Sequence, residues 1–148
     1  MPSRNAVQQA FDAYGKVRFA EKTAGWWQRV CGEVAQSLNL QKSQYSLRYY
    51  LNLKLVLLPG GEDAAIEGRA ERLLEPEDGD RLPRLLDVDG WQMTEEHREA
   101  ELLELLDRLT PVLDKLNTVQ AVATAERQGA LSHMGIRGPA RALLDRSA

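Results

Sequence analysis

The segment from Leu47 to Leu57 constrains the fold more than any other part of this sequence. Large apolar side chains occupy every odd position in it, and four of the five positions between them carry a polar group, at Arg48, Tyr50, Asn52 and Lys54. In a helix these leucines would spread around the whole circumference, whereas in a strand they share one face. The pattern predicts a long strand with one buried face. Its register is well specified, because a slip of one residue would bury Arg48 and Lys54.

The preceding residues predict partner strands for this one. Val34 to Gln41 alternates in the same way, and Trp26 to Val30 is aromatic and rich in β-formers. Cys31-Gly32 has the composition of the turn between them. On the other side, Pro59-Gly60-Gly61 ends the long strand.

Four segments have the spacing of helices, at 5–14, 94–117, 118–127 and 138–144. We expect Asn5 to cap the first and Gly15 to end it. Thr94 and Thr118 are the expected N-caps of the second and third. Pro111 is expected to kink the second helix or to begin its next segment.

The middle of the chain is harder to interpret. The segment 64–74 is compatible with a strand or a helix, 75–80 with a solvated acidic loop, and 82–91 with an irregular or short-strand segment. Together the elements predict a single α+β domain over 1–148. It would have an N-terminal helix, an antiparallel meander of about 4–5 strands, and C-terminal helices on one face of the sheet.

Composition excludes several classes of protein. A single cysteine, Cys31, excludes an intramolecular disulfide framework, and no Cys/His cluster has zinc-ligand spacing. No apolar run approaches the ~20 residues of a membrane span, and Met1 to Asn5 precede no apolar signal segment. We therefore expect a cytoplasmic protein with no cofactor, no metal and no membrane partner.

The formal net charge of -3 conceals three blocks of different sign. Residues 1–58 carry eight basic and three acidic side chains, 59–107 carry five and sixteen, and 108–148 carry six and three. Such blocks indicate complementary surfaces within one fold or a patch directed at a partner. The predicted sheet lies largely in the first, basic block.

The polar side of the predicted sheet is the best candidate for a binding surface. A hairpin would bring its two polar rows within about 5–8 Å of each other. Arg29, with Trp26 or Trp27, could join them from the preceding strand. Cations, amides and aromatic rings together could bind a carboxylate, a phosphate or an acidic surface, although one solvated polar face is also normal for an antiparallel sheet. The residues of the two rows are Asn39 and Gln41, and Arg48, Tyr50, Asn52 and Lys54.

Several segments of the chain resemble the bacterial family called domain of unknown function 4304. The resemblance is carried by Tyr14-Gly15, Trp26-Trp27, Arg29, Gly32-Glu33, Leu38 to Ser43, Tyr50 to Leu53 and Trp91. It implies this architecture but no particular activity, since the family has no established one, and it adds Lys42 to the candidate binding residues through the segment Gln41-Lys42-Ser43. Some members are thought to lie near toxin–immunity loci, which implies an immunity-like role.

Three functions remain open from the sequence. The first is a non-enzymatic module that binds another protein through the polar sheet face. The second is a small-molecule or nucleotide-processing enzyme that uses Arg29, Gln41 and His133 in a pocket between sheet and helices, although none of the common catalytic motifs occurs. The third is a single-stranded nucleic-acid binder, against which the sequence pI of about 5.5 argues. Pairing of copies through segment 66–73, if it is an exposed edge strand, would give a homo-oligomer.

Overall fold

The computed structural model describes residues 5–147 of the chain. The helices are α1 (Ala6–Arg18), α2 (Pro76–Leu86), α3 (Glu95–Lys115), α4 (Val119–Arg127) and α5 (Gly138–Arg146). The strands are β1 (Glu21–Thr23), β2 (Trp26–Cys31), β3 (Val34–Lys42), β4 (Tyr49–Leu57), β5 (Ala65–Arg69) and β6 (Gly135–Ile136). The predicted absence of a signal segment rests mainly on residues 1–4, which lie outside the described range.

The six strands form one antiparallel sheet in the order β1-β2-β3-β4-β5-β6. The first five are a meander, and the sixth joins β5 after the intervening helices. The α+β prediction is confirmed. The sheet has six strands, whereas about 4–5 are predicted from the sequence. Strands β1 and β6, of three and two residues, are too short to show any period in the sequence.

Strands β3 and β4 form the centre of the sheet and align their apolar faces. Leu38 lies opposite Leu53 and Leu40 opposite Leu51, so that alternation on both strands produces one apolar surface. The side chains of Leu51, Leu53, Leu55 and Leu57 are all at most 1% exposed. Each such leucine contributes about 1.5–3 kcal/mol when buried, so this register is strongly determined. The predicted long strand is confirmed, beginning at Tyr49.

The helices cover this apolar surface, which we call the helix-covered face. Helices α1 and α3 pack together, and the Tyr14 hydroxyl lies 2.7 Å from the hydroxyl of Thr110. At the end of α3, the amide of Gln36 on β3 donates to the carbonyl oxygens of Leu113 at 2.7 Å and Leu116 at 3.1 Å. These bonds join the sheet to the C-terminal end of the helix, where the Leu113 carbonyl also accepts from the backbone amide of Leu116.

The first helix begins as predicted and ends later. Asn5 forms a capping box with Gln8, in which the Asn5 side chain accepts from the Gln8 backbone amide. Gly15 does not stop the helix, which continues to Arg18. Instead Gly15 lets the helix approach Trp27, because a Cβ at this position would lie 2.2 Å from the indole ring.

The acidic segment predicted as a loop is a helix. Pro76 occupies its first turn, where a missing amide hydrogen costs nothing, and Glu77 and Asp78 follow. Leu82, Leu85 and Leu86 form its buried face. Pro76 and Gly79 suggested a loop over 75–80, and Pro83 an irregular or short-strand segment over 82–91, of which 82–86 are helical. Packing of those three leucines outweighs the helix-breaking tendency of Gly79 and Pro83.

Two further segments differ in detail from the sequence analysis. Segment 64–74 divides into β5 and a 3-10 turn over Ala70–Leu73. Helix α3 continues through Pro111, so this proline does not begin a separate segment. Thr94 and Thr118 cap α3 and α4 as predicted. Within residues 5–147, none of the helices is both long enough and apolar enough to cross a bilayer.

Candidate functional site

The side of the sheet opposite the helices contributes no strand residue to the main core cluster. We call this side the open face. It is organised in rows across the strands because antiparallel partners point to the same side. The paired rows are Val30-Ala35-Val56-Ala65, Gln28-Ser37-Lys54-Glu67, Trp26-Asn39-Asn52-Arg69 and Gln41-Tyr50.

Three amides on the open face form a continuous hydrogen-bond network. Asn52 donates from Nδ2 to Asn39 Oδ1 at 3.1 Å and to Gln41 Oε1 at 3.0 Å. The Asn52 carbonyl oxygen in turn accepts from the guanidinium of Arg69. Asn39 donates to the carbonyl of Gly25 at 3.1 Å. Asn52 therefore ties β3, β4 and β5 together and fixes the position of the Arg69 side chain.

Two arginines lie over the ring of Tyr50 beside this network. The Arg69 Cζ atom is 4.3 Å and the Arg48 Cζ atom 5.4 Å from the ring centroid, both within the range of a cation–π interaction. Among residues 5–147, no carboxylate lies within 4.0 Å of either guanidinium. Lys54 differs, since its ammonium lies 3.8 Å from Glu67. The two arginines are thus the cations of this face that have no ion-pair partner in the described part of the chain.

Glu71 lies just beyond Arg69, in the 3-10 turn. Its Oε2 atom is buried without a hydrogen-bond partner, as is the Nε atom of Arg48. Burial raises the pKa of the Glu71 carboxyl above its ordinary value, and the charges of Arg69, Arg72 and Arg48 oppose that rise. A buried polar atom without a hydrogen-bond partner costs free energy, so the cluster contains two polar atoms whose hydrogen-bonding capacity is not used.

The structure brings together six of the eight predicted site residues. Asn39, Gln41, Tyr50, Asn52 and Lys54 lie on the open face, with Arg48 beside Tyr50. Trp26 is the tryptophan that joins them, because Trp27 is 8% exposed and packs in the core.

Arg29 and Lys42 lie on the helix-covered side instead. Arg29 is opposite Gln36 on β3, and its guanidinium donates to the Gln36 side chain at 2.9 Å and to Asp114 at 2.8 Å. Lys42 is opposite Tyr49 and lines a cavity of about 270 Å³, which Asp12 also lines. Strand alternation puts both residues on the same side as their buried partners.

Arg69 is the important residue that the sequence analysis missed. Its segment was ambiguous between strand and helix, and only the pairing of β5 with β4 places Arg69 opposite Asn52. No local pattern carries that information. By contrast, Trp26, Gln28 and Val30 occupy alternate positions in the sequence, and this local pattern indicates which side chains of β2 share the open face.

The residues proposed for an enzymatic pocket do not converge. Arg29 lies on the helix-covered side, Gln41 on the open face, and His133 in the turn before β6. His133 lines two grooves, of about 410 and 530 Å³, and neither is lined by Arg29 or Gln41. Within the described residues, no group of three or more His, Cys, Asp or Glu side chains is arranged to hold a metal ion.

Comparison with known proteins finds no family model, no curated protein and no solved structure that matches this chain. The resemblance to the domain of unknown function 4304 family therefore stays a prediction.

Proposed function

We propose that this protein is a non-enzymatic binding module that docks another protein on the open face of its sheet. The observation that carries the proposal is the concentration of Trp26, Tyr50, Arg48 and Arg69 on that one face. Tryptophan, tyrosine and arginine are the residue types that most often dominate binding energy at protein interfaces. Here they surround a rigid amide network, so little side-chain entropy remains to be lost on binding.

The rest of the open face has the composition of an interface. Val30, 67% exposed, lies in the same row as Ala35 and Val56, which provides an apolar strip beside the polar cluster. Nine-residue strands are about 30 Å long, and five strands span about 20 Å. The flat outline of the face is therefore about 600 Å² or less, before side-chain relief and neighbouring loops add to it, and a standard interface buries ~800 Å² of accessible surface per partner.

Charge supports an acidic protein as the partner. Arg48 and Arg69 have no ion-pair partner among residues 5–147, although Asp87 lies opposite Arg48 in an isolated β-bridge, whereas Lys54 is paired with Glu67. A nucleic acid is the weaker candidate, because Trp27 and Tyr49 are buried and only Trp26, Tyr45 and Tyr50 of the five candidate aromatic residues remain for stacking. The family resemblance would make the partner a toxin-like protein and the function immunity-like.

The test is quantitative capture from a lysate of the source cells on immobilised protein. The variants are Trp26→Ala and the double variant Arg48→Gln/Arg69→Gln. The matched controls are Trp91→Ala, a 45% exposed tryptophan beyond the sheet, and Arg127→Gln on α4. Retained proteins are quantified by mass spectrometry, and their retention is then measured with each purified partner.

We expect one acidic protein to bind the wild-type chain and both controls, and to be lost or reduced about tenfold by the open-face variants. The proposal is contradicted if the wild-type chain retains no protein from the lysate, or if all five chains retain the same amount. Selective retention of polynucleotide, or of a second copy of the chain, would also contradict it.

A further inference from the structure

We infer that Arg48, Tyr50 and Arg69 form a subsite for a single carboxylate, supplied by an aspartate or glutamate side chain of the partner. This inference rests on the proposed function and names the anchor of that interface. Carboxylates bind arginine through two parallel hydrogen bonds, a geometry that the planar guanidinium group offers and an ammonium does not.

The first argument is the number of hydrogen-bond donors. Two guanidinium groups carry about ten N–H donors between them. Within residues 5–147 only one of these donors has a protein acceptor, in the bond from Arg69 to Asn52. That bond holds Arg69 in place and leaves its other donors for a ligand. Arg48 makes no side-chain hydrogen bond in the described part of the chain, and its Nε atom is buried without a partner.

The second argument is the environment of the two cations. Both are half-buried and lie over the same aromatic ring, at 4.3 and 5.4 Å. Partial burial lowers the effective dielectric constant and strengthens attraction to an incoming anion. A carboxylate bound beside the ring would supply the negative charge that neither guanidinium has within 4.0 Å among residues 5–147.

The third argument decides between a carboxylate and a phosphate polymer. A nucleic acid needs a track of several cations along its backbone. Here the row next to the cluster pairs Lys54 with Glu67, and Glu71 lies beyond Arg69. On the open face, the cations without an ion-pair partner among residues 5–147 are thus Arg48 and Arg69, which are too few for such a track and enough for one acidic side chain.

The experiment titrates acetyl-glutamate-amide into the wild-type protein and follows the Nε–H signals of Arg48 and Arg69 by NMR. Acetyl-glutamine-amide is the neutral control ligand, and inorganic phosphate is the competing anion. These arms need no variant and so do not depend on any variant folding. We then expect Arg48→Gln and Arg69→Gln each to weaken binding at least about tenfold, whereas Arg127→Gln leaves it unchanged.

The inference predicts a saturable shift at both arginines with the glutamate derivative and none with the glutamine derivative. Equal shifts with both ligands, or a shift that Arg127→Gln removes as strongly, would overturn it. Phosphate binding about tenfold tighter would assign the subsite to a phosphate ligand instead. Binding of the glutamate derivative without any captured protein would overturn the proposed function alone, and capture without such binding would overturn this inference alone.

Discussion

Gly15 of α1 lies directly against the indole of Trp27 on β2, so closely that a Cβ on Gly15 would be 2.2 Å from Cε2 of the ring. This contact seats the first helix on the sheet and fixes Trp27 in the core. Because neighbouring residues of a strand face opposite sides, it also directs Trp26 to the open face. A packing contact on one side of the sheet thus determines which tryptophan is available for binding on the other.

Replacing Gly15 with alanine should therefore destabilise the protein. We expect Gly15→Ala to lower the free energy of unfolding by about 1–3 kcal/mol, the usual cost of forcing extra atoms into a packed core. The measurement is urea unfolding followed by circular dichroism. Helix propensity alone would raise stability by about 1 kcal/mol, so an unchanged or more stable variant would show that Trp27 does not pack here.

The Gln36 amide links the sheet to the end of α3, and its loss should be costly. Gln36 is 0% exposed and donates to two carbonyl groups. We expect Gln36→Leu to cost about 1–3 kcal/mol, because those buried carbonyls and the Arg29 side chain lose a partner. The matched control Gln28→Leu, on the open face, should change stability by less than about 0.5 kcal/mol. Equal effects at both positions would contradict the assigned role of Gln36.

The Glu71 carboxyl should make stability depend on pH. Burial raises its pKa above the ordinary 4.5, so the folded state binds this proton more tightly than the unfolded state does. Its contribution to stability is fully present below pH 4.5 and is lost as the pH rises through the folded-state pKa.

The test is the variant Glu71→Gln, which cannot ionise. We expect it to be more stable than the wild-type chain at pH 7, with a difference that shrinks as the pH falls toward 4.5. Denaturant unfolding at a series of pH values measures this difference. A variant that is less stable at pH 7 would show that the ionised carboxylate stabilises the fold through Arg48, Arg69 or Arg72.

Asn52 should matter for binding more than for folding. It accepts from Arg69 and donates to Asn39 and Gln41 on a solvated face. We expect Asn52→Ala to weaken partner binding about tenfold by releasing Arg69. Its effect on the free energy of unfolding should be about 1.5 kcal/mol, because each of three hydrogen bonds on a solvated face contributes about 0.5 kcal/mol net. The control is Asn117→Ala, an exposed residue in the loop between α3 and α4. If Asn52→Ala and the wild-type chain bind the partner with equal affinity, Asn52 does not contribute to the binding site.

The long strand and most of the open face could be predicted because alternation is a local signal. Leu51, Leu53 and Leu55 point one way, and Tyr50, Asn52 and Lys54 the other, whatever the rest of the chain does. The same rule, applied one residue past Gln41, would have placed Lys42 with Leu40 on the apolar side of β3. Lys42 was included among the site residues because of the family resemblance, although strand alternation predicts that it lies on the other side of the sheet.

What could not be predicted depends on contacts between distant segments. Arg69 enters the cluster through the register of β5 on β4, and Ile136 reaches Ile66 only after three intervening helices. Helix α2 escaped prediction because Gly79 and Pro83 are helix breakers in isolation. Gly79 allows the helix to approach the preceding turn, since a Cβ there would lie 2.8 Å from the carbonyl oxygen of Glu71.

Site-specific photo-crosslinking in the source cells tests the proposed binding face most directly. A benzophenone amino acid replaces Gln28 or Ser37 on the open face or, as the control, the exposed Ala100 on α3. We predict that the two open-face positions give a covalent adduct with one other acidic protein, and that the adduct disappears when Arg48 and Arg69 are both changed to glutamine. An adduct formed equally from Ala100, or only with a second copy of this chain, would contradict the proposed function.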